Sequence, residues 1–86
     1  MLYSAQIRAA RALIHWSQED LAKKAGIGVA TVRRIEVGDG LVSGNVTTVF
    51  RIQKALERAG IRFIADNDAD EIGVRLILRR TPTRER

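Results

Sequence analysis

The 86-residue chain contains no cysteine. It therefore carries no disulfide framework, no thiolate metal site and no thiol nucleophile. Its single histidine, His15, excludes a histidine-rich metal centre and a two-histidine relay. No apolar run approaches the roughly 20 residues of a membrane-spanning helix, and Met1–Ala10 shows no cleavable signal peptide. These absences lead to the expectation of a soluble, cytoplasmic protein with no membrane partner, no metal and no cofactor. A chain this short has little room for a buried catalytic pocket and often gains stability by dimerising. With no nucleophile–base pair, no metal set and no cofactor motif, an enzyme is not expected. What remains, 45% hydrophobic and 29% charged residues, is near the globular average and predicts a folded single domain.

Charge is unevenly placed. The chain carries 15 basic and 10 acidic side chains, a net +5. Residues 1–64 hold ten basic and five acidic side chains; residues 65–86 hold five of each. The second stretch divides into an acidic patch (Asp66, Asp68, Asp70, Glu71) and a basic end (Arg79, Arg80, Arg84, Arg86). A basic body suits a polyanionic partner, although charge alone fits a merely soluble surface equally well.

The periodicity predicts four helices and then two strands. Ser4 is positioned to cap a first helix over Ala5 to about Ile14, with Ile7, Ala10, Arg11 and Ile14 at helical spacing. Ser17, with Asp20 three residues on, marks the start of a second helix from Gln18 to about Ala25. Gly26 stops it and Ile27 plugs into the core. A third helix runs from Val29 to about Val37, between Gly28 and Gly38. Asn45 caps a fourth, Val46 to about Ala59, whose inward stripe is expected to be Val46, Val49, Phe50, Leu56 and Ala59. After Gly60 the period becomes alternating. Residues 61–65 and 72–78 read as strands, the second with Val74, Leu76 and Leu78 on one face, joined by a polar turn at Asp66–Glu71. Pro82 argues against continuing the strand, so 79–86 is expected to be a flexible basic tail.

The window Gln18–Val37 carries the functional signal. Leu21, Ala22, Ala25, Gly26, Ile27, Val32 and Ile35 stand where two short helices crossing at about 90–120° need apolar, small or turn residues. Ala22 lets the helices approach, Gly26 makes the sharp turn, and Ile27, Val32 and Ile35 fill the angle. This is a helix-turn-helix pattern. Together with Arg11, Ser17-Gln18-Glu19-Asp20-Leu21-Ala22, Ala30-Thr31-Val32 and Ile35-Glu36 before Gly38, it resembles the phage-repressor helix-turn-helix family, the Cro/CI-like or Xre group, over roughly residues 4–60. The resemblance implies a mainly α, four-helix helix-turn-helix domain whose second motif helix enters the DNA major groove, usually as a dimer on a near-palindromic operator. The expected organisation is a DNA-binding domain at 1–60, a C-terminal β-hairpin at 61–78 and the tail at 79–86. The two strands replace the fifth helix usual in that family.

With Val32 and Ile35 inward, Ala30, Arg33, Arg34 and Val37 point outward at 100° per residue, flanked by Val29 and Thr31. Small apolar groups suit thymine methyls and an arginine can fork onto guanine. Val29, Ala30, Arg33 and Arg34 are thus the expected base contacts, Arg33 foremost; the alternative is that both arginines touch only phosphates. A glutamine often opens this helix in the family and reads adenine, but Val29 stands there. Gln18, at the start of a helix, suits a phosphate, as it does in the family. Lys24, Thr31, Ser43, Asn45, Thr47 and Thr48 are further backbone candidates, with Arg51 one turn on; the residues around Asn45 serve equally as helix caps. Glu36 lies at the buried edge of the third helix, and the resemblance implies a structural salt bridge with Arg11. Trp16 is expected to pack between the first two helices, and His15 to lie at a surface joint.

The glycines at Gly38, Gly40 and Gly44 lack the lysine-serine ending of a phosphate loop and follow a helix. The carboxylates of Asp66–Glu71 match no calcium-loop spacing. A lone hairpin is marginal in water, so the strands are expected to contribute to a homodimer interface. The leading expectation is a sequence-specific transcriptional repressor bound to double-stranded DNA. The alternative is an antitoxin that binds a toxin and represses its own operon.

Overall fold

The computed structural model describes residues 2–66 and 70–78. These residues form α1 (Ser4–Leu13), α2 (Gln18–Ala25), α3 (Val29–Glu36), α4 (Val46–Arg58), β1 (Ile61–Asp66) and β2 (Glu71–Leu76). The two strands pair antiparallel. Four helices followed by a hairpin is the architecture expected, with most element ends displaced by one or two residues. The proposed tail at 79–86, and Asp68 of the acidic patch, lie outside the described residues.

Two helix starts follow from local chemistry. At α2 the Ser17 hydroxyl accepts from the Asp20 amide at 2.9 Å, and the Asp20 carboxylate accepts from the Ser17 amide at 2.9 Å. At α4 the Asn45 side-chain oxygen accepts from the amides of Thr47 (2.8 Å) and Thr48 (3.2 Å). Each satisfies amides that a helix start leaves unpaired. Gly26 ends α2 with φ of 72°, the left-handed conformation that glycine adopts without a steric penalty.

The start of α1 departs from expectation. Tyr3 holds the cap position and the Gln6 side-chain oxygen accepts from its amide at 2.9 Å. Ser4 is the first helical residue and is buried; its hydroxyl donates to the Ile35 carbonyl at 2.7 Å. That carbonyl belongs to the last turn of α3, which has no partner within its own helix. The serine serves another helix rather than its own.

The core joins Ile7 and Ala10 of α1, Leu21, Ala22 and Ala25 of α2, Val32 and Ile35 of α3, Ile52, Ala55 and Leu56 of α4, and Ile61 of β1. The inward stripe expected for α4 holds at Leu56, with Val49 and Ala59 half-buried, and is corrected at Val46 and Phe50. Ile52, Ala55 and Leu56 are the buried positions, whereas Val46 and Phe50 are 82% and 55% exposed. Val46 and Ile52 are six residues apart and so about 120° apart around the helix. Helix α4 is apolar on two faces, and α2 and β1 pack on only one of them.

The hairpin also differs in detail. Its register pairs Ile61 with Leu76, Phe63 with Val74, and Asp66 with Glu71, so the last two belong to strands rather than to the turn. Strand β2 ends at Leu76, and Leu78 is exposed beyond it rather than on the apolar face. Helix α4 touches β1, but α1 lies along β2. Gln6, almost wholly buried, fastens this contact: its amide nitrogen donates to the carbonyls of Ile64 (2.9 Å) and Gly73 (3.0 Å). The segment after α3 is drawn back to the N-terminus. Tyr3 bridges Leu41, and Val42 donates its amide to the Leu2 carbonyl at 2.7 Å.

Candidate nucleic-acid interface

Helix α3 buries Val32, Ile35 and Glu36 and turns Ala30, Arg33 and Arg34 to solvent. Val37, just past the helix, is 77% exposed. Thr31 is half-buried. Val29, expected to meet bases, is also half-buried and packs against the core, so less of it faces outward than its place on the helix suggested. The result is a ridge of small apolar groups and two guanidiniums on one short helix.

The two arginines are held differently. Arg33 Nη2 lies 3.5 Å from Glu19 Oε2 at the start of α2, with both side chains largely exposed. Such an exposed pair contributes under about 1 kcal/mol. Arg34 makes no hydrogen bond or ion pair among the described residues.

Beneath this ridge lies the salt bridge expected between Arg11 and Glu36. Arg11 Nε and Nη2 reach the two oxygens of Glu36 at 2.6 and 2.7 Å, a two-pronged contact, and Arg11 Nη1 donates to the Trp16 carbonyl at 3.0 Å. The hydrogen bond to Glu36 raises the Arg11 pKa above its ordinary value, against the opposing effect of burial. Gln18 joins the same carboxylate: its Nε2 donates to Glu36 Oε1 at 3.0 Å. The side chain expected to meet a phosphate is thus tied to the α1–α3 bridge, with one amide proton engaged and one left over. Asp20, beside it, is held below the usual aspartate pKa, first by the Ser17 amide and then by the Ser17 hydroxyl, with smaller help from Lys23 and Lys24.

The other expected backbone contacts fall into two groups. Ser43, Asn45 and Thr47 are exposed at the start of α4 and Thr48 is half-buried, with the Asn45 oxygen spent on capping. Arg51, one turn on, donates from Nη1 to the Gly26 carbonyl at 3.4 Å, which brings it to the turn between α2 and α3. Lys24 lies elsewhere. It borders a hollow with Trp16, Ala55, Arg58 and Ala59, on the side of α2 that meets α4. Trp16, in the joint between α1 and α2, is half-buried against the core and lines this hollow. His15 is exposed with φ of 58°, the joint residue expected.

Three polar residues were not singled out from the sequence. Arg8 donates from Nη1 to the carbonyls of Glu36 and Gly38 and from Nη2 to Asp39, closing the end of α3. Its place three residues before Arg11, on one face of α1, was the available signal. Glu19 reads in the sequence as one residue of the α2 start, and its partner Arg33 lies fourteen residues away. Gln6 sits among apolar neighbours on α1, where a buried amide demands partners.

No described helix is long and apolar enough to cross a membrane. The family model for helix-turn-helix domains, HTH_3, matches residues 7–59, a span from the first turn of α1 to the residue after α4. Comparison with curated proteins returned no match.

Proposed function

Because the chain belongs to the helix-turn-helix family and is a DNA-binding transcription regulator of the Xre type, we propose that it is a dimeric repressor reading an operator through the outward face of α3. The observation that carries this reading is the ridge of Ala30, Arg33, Arg34 and Val37 above a partly buried Arg11–Glu36 bridge. Ala30 and the exposed part of Val29 suit thymine methyls, and Arg33 and Arg34 suit guanine edges. Gln18, Thr31 and the Ser43–Thr48 cluster supply phosphate contacts, which set register rather than sequence. Arg51, at the turn between α2 and α3, joins them. Lys24 is a peripheral backbone contact at most, since it faces the α4 side.

The proposed dimer uses the hairpin. A two-stranded sheet has free edges, and Ile72 and Ile77 stand partly exposed along β2 and just after it. Pairing two copies there sets two α3 helices about 34 Å apart, one turn of DNA. A sedimentation run that finds only monomer at micromolar concentration removes the dimer. Selection of bound sequences from a random duplex pool tests the whole reading: two half-sites spaced by one helical turn are expected, and recovery of unenriched sequence refutes it.

A second reading is an antitoxin of the cytoplasm. An apolar groove lined by Leu2, Val42, Val46, Val49 and Phe50 favours it, because protein partners cover surfaces of this kind. A toxin recovered with the wild-type chain, but not with Phe50→Ser, supports this reading.

A further inference from the structure

Helix α2 places a carboxylate, Glu19, at the rim of a surface that must receive a polyanion. A bare carboxylate there repels phosphates, and among the described residues its one ion pair is with Arg33. Its neighbour Arg34 has no such partner among the described residues. The geometry points to Glu19 as a positioning residue for sequence readout, one that holds Arg33 toward the base edges and away from the phosphates. The inference rests on the proposed reading of α3 as the groove helix.

In free protein the contact is open to water and weak. When DNA covers it, water leaves, the effective dielectric falls and the same contact strengthens. Arg33 then approaches the duplex already oriented. An arginine carries five N–H donors, and one committed to Glu19 leaves the others in their fixed plane for the O6 and N7 acceptors of guanine. An unrestrained arginine must lose several rotamers to make that fork, whereas a restrained one loses fewer. The charge of Glu19 acts in the same direction. It half-neutralises Arg33 as seen by a phosphate, so binding to arbitrary duplex gains less from Arg33 than binding to the correct site does. The adjacent Arg34, with no carboxylate partner among the described residues, is the arginine suited to swing between base and phosphate. Two neighbouring residues of one type are thereby divided into a reader and an adaptable contact.

The test measures binding of wild type, Glu19→Gln, Glu19→Asp, Arg33→Ala and the Arg33→Ala/Glu19→Gln double variant. The duplexes are the site selected from a random pool, its single-base-pair variants, and a random duplex. Glu19→Gln is expected to lose roughly tenfold of the discrimination at one base pair, the one Arg33 reads, while binding random duplex more tightly. Glu19→Asp keeps the charge but shortens the reach, so it shares the loss of discrimination without the gain on random duplex. In the Arg33→Ala background, Glu19→Gln changes discrimination no further. Unaltered discrimination at every base pair in Glu19→Gln overturns the inference, as does a further loss in the double variant. Those results leave the reading of α3 standing if the wild type still selects a defined site. A wild-type selection that yields no consensus overturns both.

Discussion

Glu36 is the residue on which three helices depend. It is almost wholly buried, and its two oxygens accept from Arg11 Nε, Arg11 Nη2 and Gln18 Nε2. Removing Arg11 leaves a buried carboxylate with one amide donor. Arg11→Ala is therefore expected to destabilise the fold by about 3 kcal/mol, read from the denaturant midpoint at unchanged slope. Arg11→Lys recovers only part of this, since an ammonium lacks the planar fork. Asp20 is a contrasting case at the surface. Its pKa lies below the ordinary aspartate value because the ionised form accepts from the Ser17 amide and hydroxyl. A carboxylate with a depressed folded pKa stabilises the fold above its unfolded value of about 3.9, and that contribution is lost as pH falls through the folded value. The stability difference between wild type and Asp20→Asn is thus expected to be constant from about pH 8 to 5 and to shrink below about pH 4. A difference that grows in acid contradicts the assignment.

Helix α4 and the hairpin show how elements are placed by partners. The two apolar faces of α4 make equal claims on the core, and contact with α2 and β1 selects Ile52, Ala55 and Leu56 over Val46 and Phe50. Ile52→Ala is expected to cost about 2–4 kcal/mol, whereas Phe50→Ala costs less than about 1 kcal/mol; chemical unfolding of both variants checks the phase of the helix. The hairpin is held by Gln6, which bonds one carbonyl from each strand. Gln6→Leu removes both bonds and leaves those carbonyls without the donor. Hydrogen exchange is expected to quicken at the amides of β1 and β2 while those of α2 and α3 keep their protection. Equal acceleration everywhere shows instead that the hairpin opens only with the whole domain.

Across the whole molecule, the net charge of +5 and the arginine ridge of α3 set the long-range behaviour. Affinity for duplex DNA is expected to fall steeply with salt, because each phosphate neutralised releases condensed counterion. A plot of log affinity against log salt with no slope contradicts a backbone-anchored complex. Much of this organisation was legible in the chain itself. The α2–turn–α3 unit is written in local chemistry: Ser17 and Asp20 satisfy each other, Gly26 takes the left-handed turn, and Val32 and Ile35 recur at helical spacing. Each of these depends on residues within one or two turns. Sequence alone determined the helix-turn-helix, the hairpin after it and the outward face of α3, because periodicity and caps act over short distances. Tertiary structure alone decided that Ser4 serves α3, that α1 rather than α4 lines β2, that Gln18 is bound to Glu36, and that Glu19 meets Arg33. Those choices rest on partners fourteen or more residues away, and a side chain with several equivalent local roles is assigned one only when packing brings a distant donor or acceptor within reach.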